Sequence, residues 1–407
     1  MNEIARIILP EIMCSAQCRQ LFDVLNGDGV LSALYVGGCV RDAVLGQDVT
    51  DLDVATTLIP EEVRANCQDA GFKVIPTGED HGTLTILVDD QPFEVTTLRR
   101  DVQTDGRRAQ VVFTDVWLED AMRRDFTMNT LLADEEGRVF DPLGSGLADL
   151  KKGNVLFVGE PQERIREDYL RILRFFRFYA YYGRGAADDE ALTACQTEAA
   201  NLNSLSRERI TQEFIRIIKS PRVGDVLELM QIYDVLPGLV KTGFDAPWLS
   251  RLVSLQCEYD VVSHLSRLHI LFQAELDRLR ASETYLVYSN QAKKFIEHLY
   301  TMWMDIEDFG DYPVMQMLYR YGRDIALQGY LLFCSYHDRA ISLQVWADLN
   351  DIEIPVFPLS GRELIEAGMQ QSAELGRILK EVEAWWVEQD FQPGHDACVD
   401  KAKDLIG

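Results

Sequence analysis

The chain has 407 residues, which is enough for two or three domains and a substantial apolar core. Its 47% hydrophobic and 26% charged residues are typical of globular proteins, and no apolar run is long enough to predict a membrane span. The formal net charge of −26 argues against a generally nucleic-acid-binding surface, and an N-terminus without a signal-peptide layout predicts a cytoplasmic location.

The first predicted element is a helix that ends near Gly27. Its apolar stripe includes Ile8, Ile12, Leu21 and Leu25. An apolar run then leads into Gly37 and Gly38, followed by Arg41 on a short predicted helix. Because glycines lack Cβ, they permit a tight turn and let the backbone approach a ligand closely.

The next predicted element, residues 49–55, has the alternating pattern of a short strand. Asp51 and Asp53 lie two residues apart, so on a strand they share one face. Two carboxylates directed at one point suit Mg²⁺, which binds carboxylates together with substrate phosphates. The alternative is a surface turn with two solvated aspartates, but the preceding glycine pair and Arg41 favour the metal site.

A glycine pair followed by Asp-x-Asp resembles the signature of the DNA polymerase β nucleotidyltransferase superfamily. More narrowly, GGCVRDAVLG followed by DLDVAT resembles the class II tRNA CCA-adding enzymes and bacterial poly(A) polymerases. This resemblance implies that Asp51 and Asp53 hold catalytic Mg²⁺. It also implies that Gly37, Gly38 and Arg41 bind the phosphates of the incoming nucleotide.

Further elements complete a small α/β head with a mixed sheet. Pro60 predicts the start of a helix that continues to Ala70, and residues 72–75, 82–88 and 92–98 are predicted strands. The last of these contains Glu94 between two apolar residues. In the superfamily a third catalytic carboxylate occupies such a position, so Glu94 is the candidate. The alternative is an edge-strand glutamate paired with an arginine.

Residues 99–113 are polar and charged, contain Gly106 and show no periodicity, which predicts a mobile loop. By family resemblance, relatives that add only CC look to lack a working loop here, so the presence of the loop in this chain implies complete CCA synthesis. The following run RRDFTMN resembles the family motif RRDFT-I-N. It implies that Arg124 contacts the nucleotide phosphates, while Asp125 and Asn129 support the ribose site.

Residues 163–182 form the strongest predicted helix, with Leu170, Leu173 and Phe178 on an apolar face. The charged residues on another face are open to a second interpretation, a solvated surface with local ion pairs. Their spacing nevertheless resembles the nucleotide-selecting motif of class II CCA-adding enzymes. The matching residues are Glu167, Asp168, Arg171, Arg174 and Arg177.

The chemistry of base selection agrees with this resemblance. An aspartate accepts a hydrogen bond from the exocyclic amino group of cytosine or adenine, whereas uracil and guanine place a carbonyl oxygen there. An unsatisfied buried polar group costs about 1–3 kcal/mol, which is enough for selection. The resemblance implies that Asp168 and Arg171 contact the base and that Glu167 braces Arg171. It also implies that Arg174 and Arg177 help to hold the nucleotide.

Two segments are locally basic despite the acidic composition. Residues 163–184 contain six arginines and three acidic residues, and residues 207–222 contain five basic and two acidic residues. These islands predict a narrow nucleic-acid surface with strong salt sensitivity and weak non-specific binding. Beyond Ser206 the pattern is almost wholly helical.

The sequence therefore predicts an α+β protein with a polymerase β-type head and an all-α neck, body and tail. The expected domains are a catalytic head at residues 1–153, a base-selecting neck at 154–222, and a tRNA-binding body and tail at 223–407. The expected activity is CCA addition to the tRNA 3′ end from CTP and ATP with Mg²⁺. The alternatives are a poly(A) polymerase, a partial CC- or A-adding enzyme, and an inactive RNA-binding adaptor. The sequence does not indicate an oligomeric state.

Overall fold

The structure is a computed structural model of the whole chain. It describes all residues except 28, 30, 106, 107, 237–243, 274, 307, 308, 310–312, 367–372, 406 and 407, and leaves out the side chains of residues 80, 101–111 and 373. The described residues form two compact units. One consists of Met1–Thr242 with Thr284–Val287, and the other of Gly243–Glu283 with Tyr288–Gly407.

The first unit is built on a mixed sheet of eight strands among the described residues, in the order β1-β10-β9-β2-β3-β6-β5-β4. A separate two-stranded sheet is formed by β7 and β8. The strands are β1 (Ala5–Arg6), β2 (Ala33–Val36), β3 (Asp53–Thr56), β4 (Lys73–Gly78), β5 (Thr83–Val88), β6 (Gln91–Thr97), β7 (Arg99–Asp105), β8 (Arg108–Phe113), β9 (Leu132–Ala133) and β10 (Arg138–Phe140).

Helices of the first unit cover the sheet and then continue the chain beyond it. They are α1 (Ala16–Asn26), α2 (Gly38–Val44), α3 (Pro60–Asp69), α4 (Trp117–Met122), α5 (Gly146–Lys152), α6 (Pro161–Glu167), α7 (Leu170–Tyr182), α8 (Asp189–Glu198), α9 (Arg207–Lys219) and α10 (Val223–Ile232). One apolar cluster of the sheet consists of Leu34, Val36, Ala55, Leu98, Leu132 and Phe140.

Within the described residues, the regular secondary structure of the second unit consists of helices joined by loops. Its helices are α11 (Ala246–Glu258), α12 (His264–Leu271), α13 (Leu276–Ser282), α14 (Asn290–Asp305), α15 (Val314–Tyr321), α16 (Arg323–Tyr336), α17 (Leu343–Asp351), α18 (Gly361–Glu366), α19 (Ala373–Glu388) and α20 (His395–Asp404). Its last helices share an apolar cluster that includes Leu364, Val382 and Trp386. No helix in the described ranges is both long and apolar enough to cross a bilayer.

Four predicted elements differ from the structure. The opening α-helix is shorter than predicted and begins only at Ala16. The preceding residues Glu11–Cys14 form a 3-10 helix, and Ile8, predicted on the apolar stripe, is 96% exposed. The strand predicted at residues 49–55 begins only at Asp53. The loop predicted at residues 99–113 is a β-hairpin, β7–β8, and Gly106, on which the loop prediction partly depended, lies outside the described residues.

The fourth difference concerns the helix predicted at residues 163–182, which is broken. Asp168 has φ −153° and ψ 108°, so it separates α6 from α7. Its side chain accepts a hydrogen bond from the Leu170 backbone N–H (3.1 Å), a local contact that competes with the helix ladder. Leu170, Leu173 and Phe178 are buried, as the apolar spacing predicts.

Candidate active site

The predicted carboxylates meet at one end of two parallel strands. In the β3–β6 register Asp53 lies directly opposite Glu94, whose backbone N–H donates to the Leu52 carbonyl (3.1 Å). Asp51 lies two residues before Asp53, just outside strand β3. All three carboxylates line a cavity of about 410 Å³, together with Ile12, Thr50, Leu52, Thr85, Gln91 and Pro92.

Crowding of the carboxylates changes the acidity of the central one. Burial, and then the charges of Glu94 and Asp51, raise the pKa of Asp53 to about 6, although Arg124 opposes the increase. Like charges at short range disfavour simultaneous ionisation. A bound cation relieves this repulsion, so the electrostatics at Asp53 fit a divalent metal.

The donor set also fits Mg²⁺. Carboxylate oxygens are its preferred protein ligands, and the ion usually retains waters and binds substrate phosphates in addition. Within the described residues no three His, Cys, Asp or Glu side chains form a ready-made metal cage. This arrangement agrees with an ion held by one or two carboxylates and a substrate.

The glycine turn lies beside these carboxylates, because β2 pairs with β3 and Gly37 directly follows β2. Gly37 has φ +72°, and a Cβ there would lie 3.3 Å from Arg124 Nη1. A side chain at this position would therefore be strained and would press on Arg124. At Gly38 a Cβ would lie an ordinary 3.7 Å from Arg41 Nη2, so this contact alone does not require glycine.

Arg124 is held in place by Asp120, a residue that sequence reasoning did not identify. Asp120 Oδ2 accepts from Arg124 Nε (3.1 Å) and Nη2 (3.0 Å), and Asp120 Oδ1 accepts from Arg123 Nη2 (2.6 Å). Burial would raise the pKa of Asp120, but the two arginines outweigh it and hold this pKa below its ordinary value. The i,i+4 spacing of Asp120 and Arg124 was the available signal.

The other residues of the RRDFTMN run form a buried network. Asp125 Oδ1 accepts from Asn129 Nδ2 (3.0 Å), and its Oδ2 accepts from Arg174 Nε (2.7 Å). Asn129 Oδ1 in turn accepts from Arg41 Nη1 (2.8 Å). Burial opposes ionisation of Asp125, but Arg174 and the hydrogen bonds keep its pKa low. The network connects α2 with α7.

Arg41 occupies a different environment from the one the sequence suggested. Its guanidinium makes a two-point ion pair with Asp42 (both 2.9 Å) and lies 4.2 Å from the centre of the Tyr182 ring. Tyr182 Oη also donates to Asp42 Oδ1 (3.0 Å). The side chain of Arg41 is only 9% exposed. This geometry suits a residue that positions others more than one that reaches a phosphate.

The base-selecting candidates lie at the break between α6 and α7. Arg171 forms an ion pair with Glu167, which also accepts from Arg164 Nη1 (3.0 Å). Asp168 Oδ2 accepts from Arg209 Nη2 (2.7 Å), a contact from α9 that sequence reasoning missed. The side chains of both base-selecting candidates, Asp168 and Arg171, are therefore fixed by partners.

Arg177, the last residue of the predicted motif, lies deeper in the same unit. Its Nε is 2.7 Å from Glu213 Oε2, and its guanidinium lies 4.4 Å from the centre of the Phe178 ring. Burial lowers the pKa of Arg177 below its ordinary value despite the charge of Glu213. The structure thus places Arg177 against helix α9.

Comparisons with known proteins identify the family of this chain. The sequence profile described as "Poly A polymerase head domain" matches residues 33–156, and "Probable RNA and SrmB- binding site of polymerase A" matches residues 187–242. The mitochondrial CCA tRNA nucleotidyltransferase 1 of Danio rerio is 35% identical, over 88% of this chain and 84% of that protein. The chain belongs to the class II CCA-adding nucleotidyltransferase family.

Other members of the family extend the match. The CCA-adding enzyme of Streptococcus pyogenes (strain MGAS10270) is 32% identical, over 88% of this chain and 89% of that protein. The crystal structure of the Bacillus stearothermophilus CCA-adding enzyme with CTP has a TM-score of 0.73 and 26% identity. It covers 92% of this chain, and this chain covers 94% of it. The predicted family and fold class are therefore confirmed.

The comparisons do not test every prediction. The roles of the individual site residues and the identity of the metal as Mg²⁺ stay predictions. The Danio rerio relative is mitochondrial, so the cytoplasmic location stays a prediction. The division into head, neck, and body with tail also stays a prediction, since the compact units separate elsewhere, after Thr242.

Proposed function

We propose that this chain adds C, C and A to the 3′ end of tRNA from CTP and ATP and releases pyrophosphate. Relatives that match most of the chain carry the names CCA tRNA nucleotidyltransferase and CCA-adding enzyme. The observation that carries the proposal is the register of Asp53 beside Glu94, with Arg124 and Gly37 adjacent. This arrangement supplies the groups that transfer of a nucleotidyl group requires.

Transfer joins the tRNA 3′-oxygen to the α-phosphorus and breaks the bond from that phosphorus to the pyrophosphate leaving group. Asp51 and Asp53 would hold Mg²⁺, which lowers the pKa of the 3′-hydroxyl and neutralises phosphate charge. Glu94, opposite Asp53, is the candidate acceptor for the hydroxyl proton. Arg124 lies beside the glycine turn and stabilises negative charge on the triphosphate.

Nucleotide selection is assigned to the loop between α6 and α7. Asp168 would accept from the amino group of cytosine or adenine, and Arg171 would donate to a neighbouring ring acceptor. Glu167 holds Arg171 through their ion pair. The network of Asp125, Asn129 and Arg174 would fix the ribose side of the nucleotide.

We also propose the functional division expected from the sequence. Residues 1–153 would carry out the chemistry, residues 154–222 would select the base, and residues 223–407 would bind the tRNA. The RNA-binding profile that matches residues 187–242 overlaps the end of the proposed neck. Its position supports nucleic-acid contact from this part of the chain onward.

The test is nucleotide incorporation by the purified full chain. A tRNA that lacks CCA is incubated in Mg²⁺ with each NTP alone and with CTP plus ATP. The expected products are CC with CTP alone and CCA with both nucleotides. Extended A runs would instead indicate a poly(A) polymerase. A partial enzyme would stop at CC, or would add A only to a preformed CC end. No incorporation would indicate an inactive adaptor.

A further inference from the structure

We propose that Arg209 is a specificity-determining residue that orients the base-reading carboxylate of Asp168. This inference rests on the proposed function, because it concerns the same nucleotide site. Arg209 lies in the first turn of α9, outside the motif that the sequence connects with base selection. The role would be positioning, since Arg209 acts through Asp168.

The carboxylate of Asp168 is fixed at both oxygens. Oδ1 accepts from the Leu170 backbone N–H (3.1 Å), and Oδ2 accepts from Arg209 Nη2 (2.7 Å). Each carboxylate oxygen accepts about two hydrogen bonds, so each retains capacity for a ligand donor. Two anchors on different oxygens oppose rotation of the carboxylate plane, whereas one anchor permits it.

Orientation matters because base selection here depends on direction. An amino group presents a donor to the carboxylate, whereas a carbonyl oxygen at the same position presents an acceptor. A carboxylate that is free to turn away no longer meets that carbonyl, so the wrong base is rejected less strongly. Asp168 needs an external anchor because it lies outside both helices, where no helical backbone fixes its side chain.

The fold does not depend on this ion pair. The Arg209 and Asp168 side chains are 36% and 33% exposed, and ion pairs with such exposure contribute little to stability. Helix α9 is held by its own apolar face, in which Ile210, Phe214 and Ile217 are buried. Loss of the Arg209 guanidinium is therefore expected to change selectivity while the protein remains folded.

The experiment compares Arg209→Ala and Arg209→Lys with Lys219→Ala. Lys219 is an exposed residue at the end of the same helix, so its substitution removes the same charge. For each variant kcat/KM is measured with CTP and UTP on tRNA lacking CCA, and with ATP and GTP on tRNA ending in CC. Melting temperatures and KM for tRNA are measured alongside.

Arg209→Ala should lower the CTP-to-UTP and ATP-to-GTP ratios by roughly tenfold, the effect of one lost oriented hydrogen bond. Arg209→Lys should restore part of both ratios, and Lys219→Ala should leave both at the wild-type values. KM for tRNA and the melting temperature should stay close to wild type in all three variants. Unchanged ratios in Arg209→Ala would overturn the proposal, as would an equal loss with all four nucleotides.

A double-mutant cycle tests whether Arg209 acts through Asp168. In an Asp168→Ala background, Arg209→Ala should not change the nucleotide ratios further. A second, additive loss would show that Arg209 contacts the nucleotide independently and would overturn the positioning role. Failure of the proposed function is distinguishable, because the wild-type protein itself would then not complete CCA on tRNA that lacks it.

Discussion

Asp53 is the residue at which the geometry and the electrostatics of the site meet. Asp53 lies opposite Glu94 on the adjacent strand, and Asp51 is nearby. Burial and these two charges raise the pKa of Asp53 to about 6. In the unfolded chain the same group titrates near its ordinary value of 3.8. The native protein therefore binds more protons than the unfolded chain between these values, and its stability falls as the pH rises through this window.

Asp53→Asn should consequently stabilise the metal-free protein at pH 7 while it abolishes nucleotide incorporation. The expected gain in unfolding free energy is on the order of 1–3 kcal/mol, from the size of the pKa change. Chemical denaturation in EDTA at pH 7 and pH 4 measures it, and the gain should disappear at pH 4. Asp115→Asn, at an exposed loop aspartate, is the control. Activity above about a tenth of wild type would contradict the metal-ligand role.

Residue types predicted the site better than they predicted the partners within it. The glycine pair and the Asp-x-Asp run follow from spacing and chemistry in the sequence, whereas the RRDFTMN run follows from the family resemblance. Arg41 was expected at the phosphates, yet it pairs with Asp42 and Tyr182. The contact between Asp42 and Tyr182 joins residues 140 positions apart, so no local pattern reveals it.

The hydroxyl of Tyr182 gives a direct test of this arrangement. Tyr182→Phe removes the hydrogen bond to Asp42 and keeps the aromatic ring beside Arg41. Unfolding free energy should fall by about 1–2 kcal/mol, because the bond involves a charged acceptor in a partly buried site. KM for CTP should also rise, since Arg41 supports Asn129.

The neighbouring residue supplies the control for that substitution. Tyr181 is 43% exposed, and its hydroxyl donates to a backbone carbonyl, that of Arg216 (3.0 Å). Tyr181→Phe makes the same chemical change in a solvated position and should have a smaller effect on both stability and KM. Equal effects of the two substitutions would contradict a specific role for the Tyr182–Asp42 contact.

At the scale of elements, two differences from the sequence-based prediction have physical causes. The helix predicted at residues 163–182 breaks because Asp168 bonds to the Leu170 N–H and to Arg209 instead of continuing the helix. Residues 99–113 form a hairpin although they lack an apolar alternation. In a two-stranded sheet, the backbone N–H and C=O groups form hydrogen bonds across the strand pair. The periodicity of side chains does not predict this pairing.

The base of the hairpin is connected to the phosphate-binding candidates. The Arg99 backbone N–H donates to Asp120 Oδ1 (3.4 Å), and the Arg99 carbonyl accepts from Arg123 Nε (3.1 Å). Asp120 in turn holds Arg124. Movement of the hairpin would therefore be transmitted through Asp120 to Arg124, which lies beside the glycine turn.

Deleting Val102 to Arg108 should leave both CTP additions nearly intact and stop synthesis at CC. One pocket must accept cytosine twice and then the larger adenine, so an element near it has to move. The deletion spares Arg99 and Phe113, which pair at the base of the hairpin. Product length on tRNA lacking CCA, and A addition to tRNA ending in CC, measure the effect. Equal loss of C and A addition would show that the hairpin is structural.

At the scale of the whole molecule, the charge of −26 and the two basic islands need to be considered together. Of the eleven basic side chains in these islands, eight form ion pairs with carboxylates in the described structure. They are Arg164, Arg166, Arg171, Arg174, Arg177, Arg209, Arg216 and Arg222. Arginines paired with carboxylates in this way are not available to bind phosphates. The main role of the islands is therefore to stabilise the site.

The salt dependence of tRNA binding should therefore be weaker than the sequence alone predicts. Each phosphate contact contributes about 0.7–0.9 to the slope of log K against log salt concentration. Because eight of the eleven basic side chains in the islands are engaged by carboxylates in the described structure, we expect a slope of about 3 or less. Single-stranded RNA of unrelated sequence should bind much more weakly than tRNA. Fluorescence anisotropy with labelled tRNA and with poly(U) over a range of salt concentrations measures both quantities. A slope of about 6 or more would mean that the arginines exchange their internal carboxylate partners for RNA phosphates. The ion pairs would then describe only the RNA-free protein.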